Sequence, residues 1–509
     1  MEALKRALRK SPEKLKLLTE LVETSIDGTR DIFVNRPQDM RQIRYIGFDM
    51  DYTLAIYHKR PIEELAFRKT LEKMIEHRAY PEQILDFSYD EEFVIRGLLV
   101  DRYKGNLIKI NRFKQVCRVF HGTQELDVES YYNDKVDQSD LTRFASVDTL
   151  FSLPEAYLFA LLVDFKEEGH LADRDFGQIY DDIRHCIDMT HRDGSLKAEI
   201  IADLPKYIYR DPHLSLALDK LIDSGKKLFV LTNSEHYYTD KVMRFLLDTE
   251  HLEYNSWRDY FEIIIVNGRK PAFFKENCDF YVIDESTGLE SGLMETTNFE
   301  RNKIYSRGNY IRFENIIQAK GNEILYIGDH LFGDIVRSDK DSNWRTVLVV
   351  EELESELRKT AELREKHLRL RRLSNRSDKL HYEMHIYSSQ LDTLQNLTST
   401  QVSFTESETR AMEKTVTELQ TNLALCQKDY ERTELKIQRL RTEMSQHYHP
   451  MWGPLFHDQD EMSRFADQVR DYAGLYTSRV SNFFFYPTDR YYKSLRDIMP
   501  HDRWMELSG

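Results

Sequence analysis

Asp49 and Asp51 stand two residues apart, after the apolar run Tyr45-Ile46-Gly47-Phe48 and before Thr53-Leu54. At the carboxyl end of a buried strand, such a pair suits phosphoryl transfer through an aspartyl-phosphate. The first carboxylate can attack phosphorus; the second can protonate the leaving oxygen and then activate water. Acids here also serve as ordinary turn or helix-cap residues, so the pair needs company. Three later segments offer it. Phe229-Val230-Leu231 runs into Thr232-Asn233-Ser234, where a hydroxyl and the N–H groups of a helix start could hold phosphate oxygens. A plain helix cap has the same pattern. Lys270, in Asn267-Gly268-Arg269-Lys270-Pro271, could neutralise phosphoryl charge, although a lysine after a strand more often faces solvent. Asp329 and Asp334 follow Ile327-Gly328. Asp329 is placed to join Asp49 around a hard divalent cation, and oxygen ligands with phosphate favour Mg2+. Two acids in a glycine-containing turn would otherwise be unremarkable surface residues.

The elements that must position these residues are short apolar runs: Tyr45 to Phe48, Lys227 to Leu231, Phe261 to Val266 and Ile324 to Ile327. Nearly continuous apolar character fits strands buried on both faces of a parallel sheet. Helical patterns at Asp211 to Ser224 and Lys241 to Thr249 alternate with them. The reading is an α/β domain with its ligand site beyond the carboxyl ends of the strands. The interval from Phe48 to Lys227 far exceeds a crossover, so a second module must fill it. Its helical patterns lie at Ser146 to Lys166 and Phe176 to Met189, and as a cover for the cleft it could exclude water and set specificity.

At 509 residues the chain is expected to form two or three units. The expected division is 1–57, an N-terminal helical segment and the start of the core; 58–212, an inserted cap; 213–350, the remaining core; 351–445, a coiled-coil-like helical hairpin; and 446–509, a packing or interface segment. The hairpin rests on heptad spacing in two series, Leu373 to Leu394 and Met412 to Met444, with a polar turn at Asn396 to Glu408. Two helices lying flat on the body would give much the same pattern. A formal charge of −15 argues against nucleic-acid and anionic-membrane partners. Four cysteines without knuckle spacing and the lack of a long apolar window make a cytoplasmic location the expectation.

The order of these motifs, a DxDxT strand end, a Thr/Asn strand end, a later Lys and a GDxxxxD strand end, resembles the haloacid-dehalogenase-like superfamily. Within it the chain looks like the cytosolic purine 5′-nucleotidases acting on IMP and GMP. The strings Gly47 to Ala55, Leu153-Pro154-Glu155-Ala156-Tyr157, Gly194-Ser195-Leu196-Lys197 and Tyr326-Ile327-Gly328-Asp329-His330 carry that likeness. The resemblance implies Asp49 as nucleophile, Asp51 as acid/base, and Thr232, Asn233, Lys270 and Lys197 around the phosphate. It implies Mg2+ on Asp49, Asp329 and the Asp51 backbone carbonyl, with Asp334 supporting that loop. Arg184, Asp188 and His191 would meet the purine nucleoside, although Arg184 and Asp188, four apart on a helix, also read as an ion pair. A nucleoside that captures the phosphoenzyme would give phosphotransfer. Phe332 and Lys340 match positions of a nucleotide effector site, while His121 to Glu125 and the missing acidic tail depart from the pattern. A homo-oligomer is expected. The alternatives are a broader phosphomonoesterase, or a scaffold protein that keeps a vestigial catalytic fold.

Overall fold

The structure, a computed structural model, describes residues 28–494 apart from 133–135, 138–139, 249–253, 255, 295–297, 337–341 and 400–403. The expected N-terminal helical segment therefore lies largely outside the described residues. Two compact units emerge: residues 1–355 with 455–509, and residues 356–454.

The first unit is organised by a ten-stranded sheet. In chain order its strands are β1 (Phe33–Val34), β2 (Tyr45–Phe48), β3 (Lys227–Leu231), β4 (Ile263–Val266), β5 (Phe280–Ile283), β6 (Glu290–Leu293), β7 (Ile304–Arg307), β8 (Ile324–Gly328), β9 (Arg345–Val349) and β10 (Leu475–Thr477). Their order across the sheet is β1-β10-β9-β8-β2-β3-β4-β7-β5-β6. The run from β10 to β7 is parallel throughout, and β2 is buried along its whole length. The helices Leu214–Asp223 and His236–Leu247 flank β3 in the chain. This is the expected α/β class, with the expected parallel core.

Gly47 shows how local sequence sets packing. It pairs with Phe229 on one side and Tyr326 on the other, and those two rings stack 6.4 Å apart above it. A Cβ at Gly47 would come within 2.2 Å of the Phe229 ring. Only glycine lets the aromatic layer close over β2.

Two features go beyond the expected outline. The C-terminal segment is more than packing, because β10 is a strand of the core sheet, pairing β9 in parallel and β1 antiparallel. β10 and β9 are far apart in the chain, so no local pattern advertised their pairing. The insertion is also more than helices. It holds a five-stranded antiparallel sheet running from Gln124–Leu126 at one edge to Phe144–Ser146 at the other. Its helices are Lys59–Arg78, Leu153–Glu167, Phe176–Arg192 and Ser195–Ala202. A two-stranded neck, Ile56–Tyr57 against Ile208–Tyr209, gathers its two ends.

Asp211 fastens the C-terminal segment to the core. Its carboxylate accepts from Ser481 Oγ at 2.6 Å and from the His213 N–H at 2.9 Å, with Arg479 at 3.7 Å. Burial pushes the carboxyl up, but these donors and the Arg479 charge outweigh it and hold it at about 2. A depressed value stabilises the fold above the unfolded range near about 4, and that contribution is lost as pH falls toward 2. Asp211→Asn is therefore expected to lose about 2 kcal/mol at pH 7. The gap in melting temperature from the parent protein should narrow at pH 3.

The second unit holds two long helices, Arg364–Ser399 and Glu406–Tyr448. They pack antiparallel, with Leu380, Leu391, Ile437, Leu440 and Met444 buried at heptad positions. Lys366 pairs with Glu443 at 2.7 Å. The helices run further into the polar stretch than expected, and Thr405 caps the second with a reciprocal bond to Glu408.

Candidate active site

The carboxyl ends of β2, β3, β4 and β8 deliver the expected groups to one place. Asp49 follows β2, and its Oδ2 lies 2.9 Å from Lys270 Nζ. Lys270, from the loop after β4, also contacts Asp334 at 2.6 Å and the Tyr326 hydroxyl at 2.7 Å. Tyr326 in turn donates to the Leu231 carbonyl at 2.8 Å. Lys270 is not solvent-facing: its side chain is 2% exposed. Burial alone would push its ammonium down, yet Asp334 and Asp49 outweigh burial and hold it above its ordinary range.

Oxygen atoms of Asp49, Asp329 and Asp334 lie within 4.8 Å of one another. Burial, offset in part by Lys270 and aided by the charges of Asp334 and Asp51, raises the Asp49 carboxyl to about 7. Asp329 is also raised, by burial first and then by Asp334 and Asp49. No hydrogen-bond donor among the described residues reaches the Asp329 carboxylate, while Asp334 is turned toward Lys270 and the His330 N–H. A buried, donor-less carboxylate beside a second one fits a hard cation such as Mg2+. Asp334 instead braces the loop through those two bonds.

Asp51 is held by two hydroxyls: Tyr57 donates to Oδ1 and Ser234 to Oδ2, both at 2.6 Å. Tyr57 shares a further bond of 2.7 Å with Tyr238. The intervening turn closes on the Met50 carbonyl, which accepts from Thr53, Leu54 and Ala55. Tyr52 takes a left-handed φ of 53° there, an uncommon conformation for a bulky residue and one that clusters at functional loops. Thr232 is buried and accepts from the Ser234 N–H at 3.1 Å. The Asn233 side chain faces the protein rather than the cleft. Its amide donates to the Lys270 carbonyl at 2.9 Å and accepts from the Lys270 N–H at 2.6 Å. Asn233 thus fixes the lysine loop, and only its backbone remains for phosphate.

The insertion contributes a second group. Arg184 and Asp188 do form the helical ion pair, at 3.2 Å, and Arg184 also reaches the buried Glu155 at 2.8 Å. Lys197 pairs with Glu235, next to Ser234, and lies over the Tyr238 ring. His191 meets Phe151 edge-on at 5.5 Å, and Phe151 meets Tyr52 at 4.7 Å. Burial and then the Lys197 charge push the His191 imidazole down to about 4, so it is neutral near pH 7. An aromatic wall therefore joins the insertion to the nucleophile loop. Lys340 and the Phe332 side chain lie outside the described residues.

Sequence reasoning missed Tyr57, Ser234, Tyr326, Glu155 and Arg96 as partners. Ser234, Tyr326 and Glu155 sat inside strings already singled out, so their neighbours could have flagged them. Tyr57 and Arg96 carried no local signal.

A family model described as the 5′ nucleotidase family matches residues 32–504. The chain belongs to the 5′-nucleotidase family. Membership makes it a hydrolase of the 5′-nucleotidase type. A 5′-nucleotidase domain-containing protein of Dictyostelium discoideum is 26% identical, across 93% of this chain and 75% of that one. The human 5′-nucleotidase domain-containing protein 2 is 32% identical over 64% of each chain. This member of the family thus spans under two thirds of the human relative's length. Among solved structures, a predicted phosphoglycolate phosphatase from Haemophilus somnus is 12% identical, with a TM-score of 0.27, over 61% of this chain and 86% of that one. No helix among the described residues is long and apolar enough to cross a membrane.

Proposed function

We propose that the chain hydrolyses purine nucleoside 5′-monophosphates, preferring IMP and GMP, with Mg2+ at Asp49, Asp329 and the Asp51 backbone carbonyl. The observation that carries the chemistry is the 2.9 Å approach of Lys270 Nζ to Asp49, which sets a cation beside an anionic nucleophile. In the first step Asp49 attacks phosphorus and the bond to the 5′-oxygen breaks, while Asp51 gives that oxygen its proton. In the second, Asp51 takes a proton from water as the water attacks phosphorus, releasing inorganic phosphate and restoring Asp49. Lys270 and Thr232 balance the phosphoryl charge in both steps. Bound Mg2+ would add charge neutralisation for the phosphoryl oxygens and for the crowded carboxylates. A nucleoside hydroxyl replacing water in the second step would give phosphotransfer.

Purine selection is assigned to Arg184, Asp188 and the neutral His191. A 6-oxopurine offers a carbonyl acceptor and a ring N–H donor, which complement an Arg and a carboxylate. Phosphate release measured across IMP, GMP, AMP, pyrimidine monophosphates and sugar phosphates tests the reading, with IMP and GMP expected fastest. Equal turnover of unrelated sugar phosphates would instead indicate a broader phosphomonoesterase. The Arg184 pair gives a finer check. Arg184→Gln is expected to slow IMP hydrolysis about tenfold or more, the cost of one charged hydrogen-bonded contact, and to leave para-nitrophenyl phosphate nearly unaffected.

A further inference from the structure

Arg96, which belongs to the insertion, is 1% exposed and reaches into the catalytic unit. Its Nε and Nη2 form a fork on the Glu352 carboxylate at 2.7 and 2.5 Å. Its Nη1 donates to the main-chain carbonyl of Asp329 at 3.3 Å. The guanidinium also lies 5.2 Å from the centre of the Phe465 ring, and Phe465 belongs to the C-terminal helix Arg464–Tyr472. The next residue, Gly97, has a φ of 85°, and a Cβ there would meet Phe465 Cβ at 2.7 Å. One buried cation thus joins four segments that are remote in the chain.

The bond to Asp329 has a particular geometry. The peptide linking Asp329 to His330 presents a carbonyl and an N–H at opposite poles. Arg96 holds the carbonyl, and Asp334 Oδ2 accepts from the N–H at 3.2 Å. On the other side of Asp329, β8 is locked between β2 and β9. The backbone on both sides of Asp329 is therefore fixed, and with it the direction of a carboxylate that no donor among the described residues reaches. The fork on Glu352 keeps the guanidinium plane from turning away.

We propose that Arg96 is a positioning residue for the cation site: through the Asp329 carbonyl it aims the Asp329 carboxylate, and it makes Mg2+ affinity depend on how the insertion is seated. The inference rests on the cation reading above and adds a residue that does not itself touch cation or substrate. Partners that orient a metal ligand change affinity by about 10- to 100-fold when removed.

The test is titration calorimetry of Mg2+ into the full chain without substrate, alongside phosphate release at varied Mg2+. Arg96→Gln is expected to weaken Mg2+ binding about tenfold or more. Turnover should recover substantially once Mg2+ saturates, so the loss falls on the Mg2+ requirement rather than on the limiting rate. Arg96→Lys, which keeps the charge and loses the fork, should fall between the two and guards against a variant that does not fold. Arg464 provides the contrast. It ties the insertion to the same C-terminal helix through Asp148 at 3.0 Å but is not bonded to Asp329. Arg464→Gln should therefore leave Mg2+ affinity unchanged. If the parent protein binds no Mg2+, the cation reading falls and this inference with it. If the parent binds and Arg96→Lys and Arg464→Gln both match it, or both lose equally, the inference alone is overturned.

Discussion

Asp49→Asn is expected to abolish phosphate release, by on the order of 10³-fold or more, as loss of a covalent nucleophile does elsewhere. The same change should leave the fold intact and raise the melting temperature measured without Mg2+. The reason is crowding. Asp49 shares its site with Asp329 and Asp334, and burial, aided by the charges of Asp334 and Asp51, already pushes its carboxyl up to about 7. A neutral amide removes one of three mutually repelling groups while keeping the shape. Activity and stability should thus move in opposite directions in one variant, as at sites shaped for chemistry rather than stability. Phosphate release and thermal melting on the same preparation check both. Residual turnover above a tenth of the parent rate would reject an aspartyl-phosphate on Asp49.

Lys270→Met should show the opposite pattern, with activity and stability falling together. Among the described residues no other cation contacts Asp49, and Asp334 uses the same ammonium. Removing one partner of a buried ion pair costs about 3–5 kcal/mol. Loss of one group that stabilises developing charge costs about 10²–10³-fold in rate. The lost stability should return in part with Mg2+, because a divalent ion offsets the same carboxylates. Melting curves in chelator and in excess Mg2+ measure that difference. A Lys270→Met protein as stable as the parent in chelator would show that the ammonium is not the counter-charge of this site.

The chemical strand ends were legible because each is a local signal: an apolar run, then a polar residue of the right type. Asp49, Thr232, Lys270 and Asp329 each follow such a run, which places them at the carboxyl edge of one sheet. What they do to one another was not legible. Asn233 looked like a phosphate contact and instead braces Lys270, since side-chain direction depends on a loop conformation that sequence does not print. Arg184 and Asp188 were readable as a pair four residues apart, but the third partner, Glu155, lies on another helix. β10 could not be read at all. Leu475–Thr477 is only three residues long, and its partners Val347 to Val349 are remote in the chain. The cap sheet escaped for a related reason: its strands run from three to six residues, and none has a clean alternation of apolar and polar positions.

The long helical pair has a consequence for how the catalytic sheet is assembled. β9 and β10 are neighbours in the sheet, yet the whole of residues 356–454 lies between them in the chain. An unstructured tether of that length would add to the entropy that must be lost before β10 can dock. The helices instead zip from local contacts, and Lys359 Nζ meets the Tyr448 carbonyl at 2.7 Å, bringing entry and exit together. In kinetic terms the loop from β9 to β10 then behaves as one of about 40 residues rather than about 125, which lowers the closure cost by about 1 kcal/mol. The hairpin can fold early and fast, and by doing so act as an internal splint for the docking of β10 onto β9.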